Sequence, residues 1–401
     1  MSADPVDEII DKKKIALLEF KKRIHDCKLF DPRDEYIQKW LVARSYNINE
    51  AEKMLRASLA WREENEIDQV LKWTQPEVML KYVSYGKIGH DKFDCPVYVS
   101  AQGRIDYRGL VQSVTKKDYL RCHNYNQEKL MQDMLEQCLR TGKNVDCQST
   151  LILDLECLSM RQIACRTAVQ LGTEQTRVNN LYYPEICRRI FVINAPKLFT
   201  VIFNILKPFV AQETQAKMKI FSSNRKEWTA ALLEEIDADQ LPAFYGGTMV
   251  DPDGDPKCPS KFNMGGKVPY SYYLSNSAPV AKDYMETMNI IAGSSGCKKL
   301  KYKVDVANSI LKWEFMTEGG DIGFRVYFKS AEEGPVDLVP LSRTESHLVT
   351  EEGELICVNP GKYVVVFDNT FSMLRSKKLR YHIVIIDCPA SESQTTAAVV
   401  G

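Results

Sequence analysis

The stretch Tyr182–Phe209, YYPEICRRIFVINAPKLFTVIFNILKPF, holds a turn, a short apolar run, a second turn and an apolar helix pattern. Arg188 and Arg189 precede the run Ile190–Asn194, which reads as a strand. Ala195-Pro196 ends it and opens a helix, with proline in the first turn, where its missing N–H leaves no bond unmade. Leu198, Phe199, Val201, Ile202, Phe203, Ile205, Leu206 and Phe209 follow, and only Lys197, Thr200, Asn204 and Lys207 are polar. A surface helix normally carries one apolar stripe, not apolar side chains all round. This helix is therefore either core of an α/β domain or a cover over an apolar cavity. Pro208 removes a backbone bond and favours a kink near its end. Ala195-Pro196 and Lys207-Pro208 thus bracket the helix at candidate hinges.

Working outward, residues from about 86 to 248 alternate between strand-like and helix-like runs. Val97–Ser100, Leu151–Leu155, Ile190–Asn194 and Lys219–Phe221 read as strands, with helices at 116–141, 160–180 and 197–209 between them. Thr115 with Asp118 three residues on marks the start of the helix at 116. Such alternation predicts a mostly parallel sheet with right-handed crossovers.

Residues 4 to about 85 are helical in pattern. Asp4-Pro5 opens a first helix striped by Ile9, Ile10, Ala16, Leu17, Phe20 and Ile24, and Asp31-Pro32 opens a second through Tyr36, Ile37, Trp40 and Leu41. Asn47 with Glu50, and Thr74 with Glu77, have capping-box spacing. Lys12–Lys14 and Lys21–Arg23 read as a solvated helix face, with membrane-surface contact as the alternative. After about 248, Gly, Pro and Asp dominate to 283, which predicts a connecting segment. Beyond it lie strand-like runs at Met285–Ala292, Leu300–Val306, Ile310–Met316, Ile322–Phe328, Leu355–Val358, Lys362–Phe367 and Leu379–Ile386. Their spacing predicts an antiparallel β-sandwich. The expected layout is a helical lobe at 4–75, an α/β domain at 76–248, a connecting segment at 249–283, a β-sandwich at 284–388 and a disordered tail at 389–401.

Lys+Arg and Asp+Glu are equal at 53 each, so no global basic field points to nucleic acid. The start, MSADPVDEIIDKKK, lacks a basic-then-apolar export signal, and no run reaches the roughly 20 apolar residues of a membrane span. The 12 cysteines are scattered, without a CxxC pair, and read as reduced, mostly buried cytosolic thiols rather than a zinc site. Catalytic patterns are missing: there is no GxSxG, no HExxH and no GxxxxGK[ST]. Gly293-Ser294-Ser295-Gly296 reads as a turn. Asp154 and Glu156 after a strand suggest acid–base work, but a strand-end cluster accounts for them as well. The reading is a non-enzyme with no cofactor.

Tyr183-Pro184-Glu185, Ile193-Asn194-Ala195-Pro196, Lys207-Pro208-Phe209 and Leu241-Pro242 with Gly246-Gly247 resemble the core signature of the CRAL-TRIO lipid-binding family. Trp40–Asn47 resembles that family's helical N-terminal lobe. Trp313-Glu314-Phe315, Asp321-Ile322-Gly323-Phe324, Gly361-Lys362-Tyr363 and Phe367–Ser372 resemble a GOLD domain, a β-sandwich of Golgi and trafficking proteins. The combination resembles the CRAL-TRIO subgroup that carries a GOLD domain and is associated with tocopherol, squalene and phosphatidylinositol. The resemblance implies an α/β sandwich whose sheet floors a lipid cavity gated by the 197–209 helix, with Phe199, Val201, Ile202, Phe203, Ile205 and Leu206 as gate or cavity residues. Carried over residue by residue from phosphatidylinositol-transfer members, the headgroup pattern falls on Arg44, Asp91, Glu185, Thr214 and Lys217. Lys219 lies two positions from Lys217, so a small register shift would exchange them, and Glu185 with Lys217 also reads as a plain ion pair. Tyr98 matches one tyrosine of the choline-lipid pattern, while Lys87 stands at another. The implied function is a cytosolic carrier of a phospholipid or hydrophobic small molecule, with transient membrane contact. The rival is a trafficking adaptor that uses the GOLD domain for a protein partner.

Overall fold

The computed structural model describes residues 5–143, 146–159, 165–197, 199, 203–204, 207–274, 284–329, 334–347 and 350–387. The Asp4 cap and the 389–401 tail expected from sequence lie outside the described residues. Contacts divide the chain into two compact units, Met1–Tyr272 and Tyr273–Gly401.

The first unit begins with helices α1 (Pro5–Arg23), α2 (Asp34–Val42) and α3 (Ile48–Glu64). Their apolar stripes meet in one core of Phe20, Ile24, Ile37, Trp40, Leu41, Ala51, Met54 and Leu55. The Asn47 side chain accepts from the Glu50 N–H at 3.2 Å and so caps α3, as its spacing predicts. The Thr74–Glu77 pattern makes no such cap. Helix α4 (Glu77–Tyr82) starts only after Pro76, whose side chain offers no acceptor.

Next come β1 (Gly86–His90), β2 (Pro96–Ser100), α5 (Tyr107–Val111), α6 (Lys116–Thr141) and β3 (Ser149–Asp154). They are followed by α7 (Arg166–Tyr182), β4 (Cys187–Ile193), α8 (Gln212–Ala216), β5 (Met218–Ile220) and α9 (Arg225–Glu235). The five strands form one sheet in the order β1-β2-β3-β4-β5, with β2 to β5 parallel and β1 antiparallel to β2. Strand β1 is not predicted from sequence, because two of its five residues are glycines. Both are required here. A Cβ on Gly86 would meet the Lys261 carbonyl oxygen at 2.3 Å, and one on Gly89 would meet the Gln240 carbonyl oxygen at 2.9 Å.

Residues 249–272, expected as connecting segment, belong to the first unit. Phe262 is buried with Trp228, Leu232 and Tyr245, and the Asn263 amide donates to the Val83 carbonyl at 2.9 Å. Dense Gly, Pro and Asp left this segment without an α-helix or a strand, but not without packing. No disulfide joins any of the described cysteines.

The second unit contains β6 (Glu286–Ile290), β7 (Cys297–Val304), β8 (Ser309–Glu318), β9 (Ile322–Lys329) and β10 (Pro335–Thr344), then β11 (Glu351–Cys357), β12 (Gly361–Asp368) and β13 (Lys377–Ile386). They pair antiparallel in two four-stranded sheets, β10-β9-β12-β7 and β11-β8-β13-β6. Strand β10 is missed by the sequence pattern because Pro335 and Pro340 interrupt it. It runs at the sheet edge, where its register against β9 slips between Asp337 and Val339 and again before Ser342. Between the sheets lies a core of Phe315, Phe324, Val365, Phe367, Leu379 and Tyr381.

Candidate ligand cavity

The period-two alternation of the first unit's sheet sorts its side chains onto two different faces. Val97, Val99, Ile152, Phe191 and Ile193 point to one face and are buried against Trp228 and Leu232 of α9. Leu151, Leu153, Ile190, Val192 and Met218 point to the other and line an apolar cavity. The cavity has two lobes, of about 430 Å³ and about 330 Å³. They share walls at Tyr85, Gln127, Leu151, Leu153, Leu155, Thr176, Asn179 and Phe199. The roof comes from α6 and α7, which also pack on part of this face, where Leu130, Met131 and Met134 of α6 and Val178 of α7 are buried with Tyr98 of β2.

Most polar side chains in the larger lobe are already satisfied. Asn179 Oδ1 faces His123 Nε2 at 2.8 Å, so Nε2 carries the proton of the neutral ring. Burial lowers the His123 pKa to about 4, and the Asn179 bond only partly offsets it. Thr176 donates to the Gly172 carbonyl, and the Tyr107 hydroxyl to Gln102. Gln127 differs: it is buried, lines both lobes, and its Oε1 has no partner among the described residues. A ligand hydroxyl donor there would satisfy it.

The smaller lobe ends in charged groups. Lys217, just after α8, donates to the Glu185 carboxylate at 2.6 Å. Thr214 and Arg44 line the same lobe, and the Arg44 guanidinium donates to the Ala43 carbonyl at 2.8 Å. Glu185 has a φ of 54°, a conformation unusual for a non-glycine residue, in the turn that feeds β4. The structure thus brings Arg44, Glu185, Thr214 and Lys217 to one rim.

Asp91 is not at that rim. Its buried carboxylate accepts from Arg188 at 2.7 Å and from Thr150, Phe93 N–H and Cys95 N–H. Arg188 also reaches Glu235 of α9, as does Lys219 at 2.8 Å. Asp91 and Lys219 therefore belong to an ion cluster tied to α9, away from the lobe that Lys217 lines. Lys217, just before β5, and Lys219, two positions on within it, thus engage different partners, Glu185 and Glu235.

Tyr98 lines the smaller lobe, where it stacks on Tyr85 with ring centroids 5.0 Å apart and donates its hydroxyl to Asp133. Burial first, then neighbouring Tyr85 and the Asp133 bond, hold its hydroxyl well above the usual tyrosine pKa. Phe199 lines both lobes and Phe203 the smaller one, with their rings 5.6 Å apart. Val201, Ile202, Ile205 and Leu206 lie outside the described residues. Just before this segment, Asn194 has a φ of 54° and donates its amide to Asp154 at 2.8 Å. Asp154 also accepts from the Tyr245 hydroxyl and the Glu156 N–H, so it braces the turn.

Sequence reasoning misses the polar residues of the roof, His123, Gln127, Thr176 and Asn179. A trace of them exists in α6, where Asn124, Gln127, Glu128, Asp133 and Gln137 are polar yet buried. Nothing in the sequence says which of these face a cavity. Glu128, for instance, is taken by Arg62 and the Tyr183 hydroxyl.

The family model for the CRAL/TRIO domain matches residues 80–247, a span that holds the whole sheet and most of the residues that line the cavity. Protein ctg-1 of Caenorhabditis elegans is 30% identical over 362 residues, covering 88% of this chain and 92% of the worm protein. The chain belongs to the CRAL-TRIO family of lipid-binding proteins. The crystal structure of Sfh5 superposes with a TM-score of 0.50 at 15% identity, covering 70% of this chain and 100% of Sfh5. At that identity the likeness speaks for the fold. Among the described residues of this CRAL-TRIO protein, no helix is long and apolar enough to cross a membrane.

Proposed function

We propose that this CRAL-TRIO protein is a non-enzymatic cytosolic carrier that encloses one lipid in the two-lobed cavity and exchanges it at membranes. The observation that carries this reading is a sheet face on which Leu151, Leu153, Ile190, Val192 and Met218 line an apolar cavity beneath α6 and α7. Burying a methylene is worth about 0.8 kcal/mol, so an acyl or isoprenoid chain crosses water only when enclosed. The apolar lobes supply the enclosure. At the rim, Arg44 would pair with a phosphate, while Lys217, Glu185 and Thr214 would meet the hydroxyls of an inositol ring. A neutral hydroxyl-bearing ligand such as a tocopherol would instead satisfy Gln127, and a hydrocarbon such as squalene would use apolar volume alone.

Release requires the wall carrying Phe199 and Phe203 to move. We read the 197–209 segment as that gate, hinged at the braced Asn194 turn and at Lys207-Pro208. Phe203→Asp would place a charge in the apolar wall and abolish loading without unfolding the protein. Loading that survives this change would assign Phe203 to ordinary packing.

The test is native mass spectrometry of the purified protein, with extraction of its bound lipid. A stoichiometric phosphatidylinositol that is lost in Lys217→Ala, by about tenfold or more in affinity, supports the rim site. A tocopherol or isoprenoid supports the carrier but makes Glu185–Lys217 a structural pair. A protein that stays empty after incubation with mixed liposomes favours the GOLD-type adaptor.

A further inference from the structure

The second unit exposes two adjacent large apolar side chains almost completely, Met373 at 91% and Leu374 at 93%. Single exposed apolar residues are ordinary on protein surfaces. This pair is different because the turn beneath it is firmly held. Asn369 is fully buried, and its amide donates to the Ile290, Ile291 and Arg375 carbonyls at 3.3, 3.1 and 2.9 Å. Its Oδ1 accepts from the Ser372 hydroxyl at 2.6 Å, and the Ser372 carbonyl accepts from the Gly293 N–H at 2.9 Å. Phe371, the neighbour of this turn, lies under the Arg343 guanidinium at 3.8 Å and the Lys377 ammonium at 4.5 Å. The fold holds Met373 and Leu374 out in water rather than letting them fall back onto the sandwich.

Exposed cations lie on the segments joined to this turn. Arg375 is exposed beside it. The Asn369 N–H donates to the Gly296 carbonyl, which joins the turn to the start of edge strand β7. That strand carries Lys298, Lys299 and Lys301, all exposed. Nearby carboxylates are already engaged: Asp321 with Arg343 and Lys377, Glu318 with Lys378 and Arg380, and Asp368 with the Thr370 N–H. Ile291, half exposed, adds apolar surface at the same end.

We propose that the 371–375 turn, with Lys298 and Lys299, is a docking tip for bilayers that carry anionic headgroups. Two apolar side chains on a convex turn match the headgroup–acyl boundary, and flanking cations match anionic lipid at the level just above it. A protein interface would instead centre its apolar anchors in a well-packed, desolvated patch. The proposal extends the carrier reading by naming a membrane-contact surface, but docking is measured without reference to cargo.

The full-length protein is sedimented with phosphatidylcholine vesicles, plain or doped with phosphatidylserine. Preferential binding to doped vesicles is expected. It should fall about tenfold or more in Met373→Asp/Leu374→Asp and about tenfold in Lys298→Glu/Lys299→Glu. Val358→Asp, an exposed apolar control at the other end of β12, should bind as wild type. A Leu374→Trp variant should show a blue-shifted emission on doped vesicles, which reads insertion directly. Unchanged binding in the double-aspartate variant overturns the proposal, as does equal loss in the Val358 control. It also fails if wild type binds neither vesicle, or if the tip variants lose only a protein partner. Vesicle docking by cargo-free protein supports the tip even where native mass spectrometry rejects the carrier reading. Lipid cargo in a protein whose tip variants dock normally leaves the carrier reading standing without the tip.

Discussion

The two units solve the same packing problem in opposite ways. In the sandwich, each sheet's inner face meets another sheet, and aromatic rings close the gap. Phe315 lies 4.7 Å from Phe324 and 4.9 Å from Phe367, centroid to centroid, and all three are essentially buried. In the first unit one sheet face is filled by α9, while the other is roofed by α6 and α7 and keeps a cavity. A sandwich interior is close-packed because two pleated surfaces interdigitate. A helix pair bridging from lobe to sheet can stand off part of that sheet, provided enough burial exists elsewhere to support it. The lobe core and the α9 face provide that burial here.

The sharpest way to break the comparison is Phe367→Ala. It removes a ring from a filled core and should cost the second unit about 3–5 kcal/mol. Lipid loading by the first unit should survive, as read by chemical denaturation alongside native mass spectrometry. Loss of loading would show that the two units do not act separately.

The first unit's cavity wall should respond to pH. His123 is lowered to about 4 by burial, against an ordinary 6.5. Its unfolded form therefore binds more protons between these values, and stability rises with pH across that window. Conversely, stability is lost as the pH falls from about 6.5 towards 4. A His123→Asn variant should flatten that part of the pH–stability curve relative to wild type. An unchanged slope would remove His123 from the cavity's energetics.

The smallest expected effect sharpens the contrast most. Gly172 lies on α7 in the wall of the larger lobe, and a Cβ there meets nothing within 4 Å. Gly172→Leu should raise the stability of ligand-free protein by up to about 1 kcal/mol, because leucine is the better helix former. It should also reduce lipid loading by occupying the lobe. In a close-packed core such an enlargement destabilises. A destabilised Gly172→Leu protein would mean that the lobe is not open volume.

Much of the fold was legible because it depends on local rules. Thr115 caps α6 by accepting from the Asp118 N–H, as the spacing required, and the parallel strands followed from short apolar runs between helices. β1 and β10 were not legible, since glycine and proline in them answer to distant neighbours and edge position. The site divides in the same way. Glu185 stands in Tyr183-Pro184-Glu185, Lys217 follows shortly after Lys207-Pro208-Phe209, and the two do meet at the rim. Asp91 does not join them, because its place depends on Arg188 and Glu235, which are far away in sequence.

By itself, the sequence determined the order of elements, the two classes of sheet and the apolar character of the 197–209 segment. Period and composition are properties of consecutive residues, so they are readable without the fold. Only tertiary structure decided that one sheet face lines a cavity and that Gln127 Oε1, between the two lobes, has no partner among the described residues. It alone decided, too, that Met373 and Leu374 are held out from the sandwich. Each of these depends on what stands opposite a residue across space, and an empty volume or a missing partner leaves no mark on neighbouring letters.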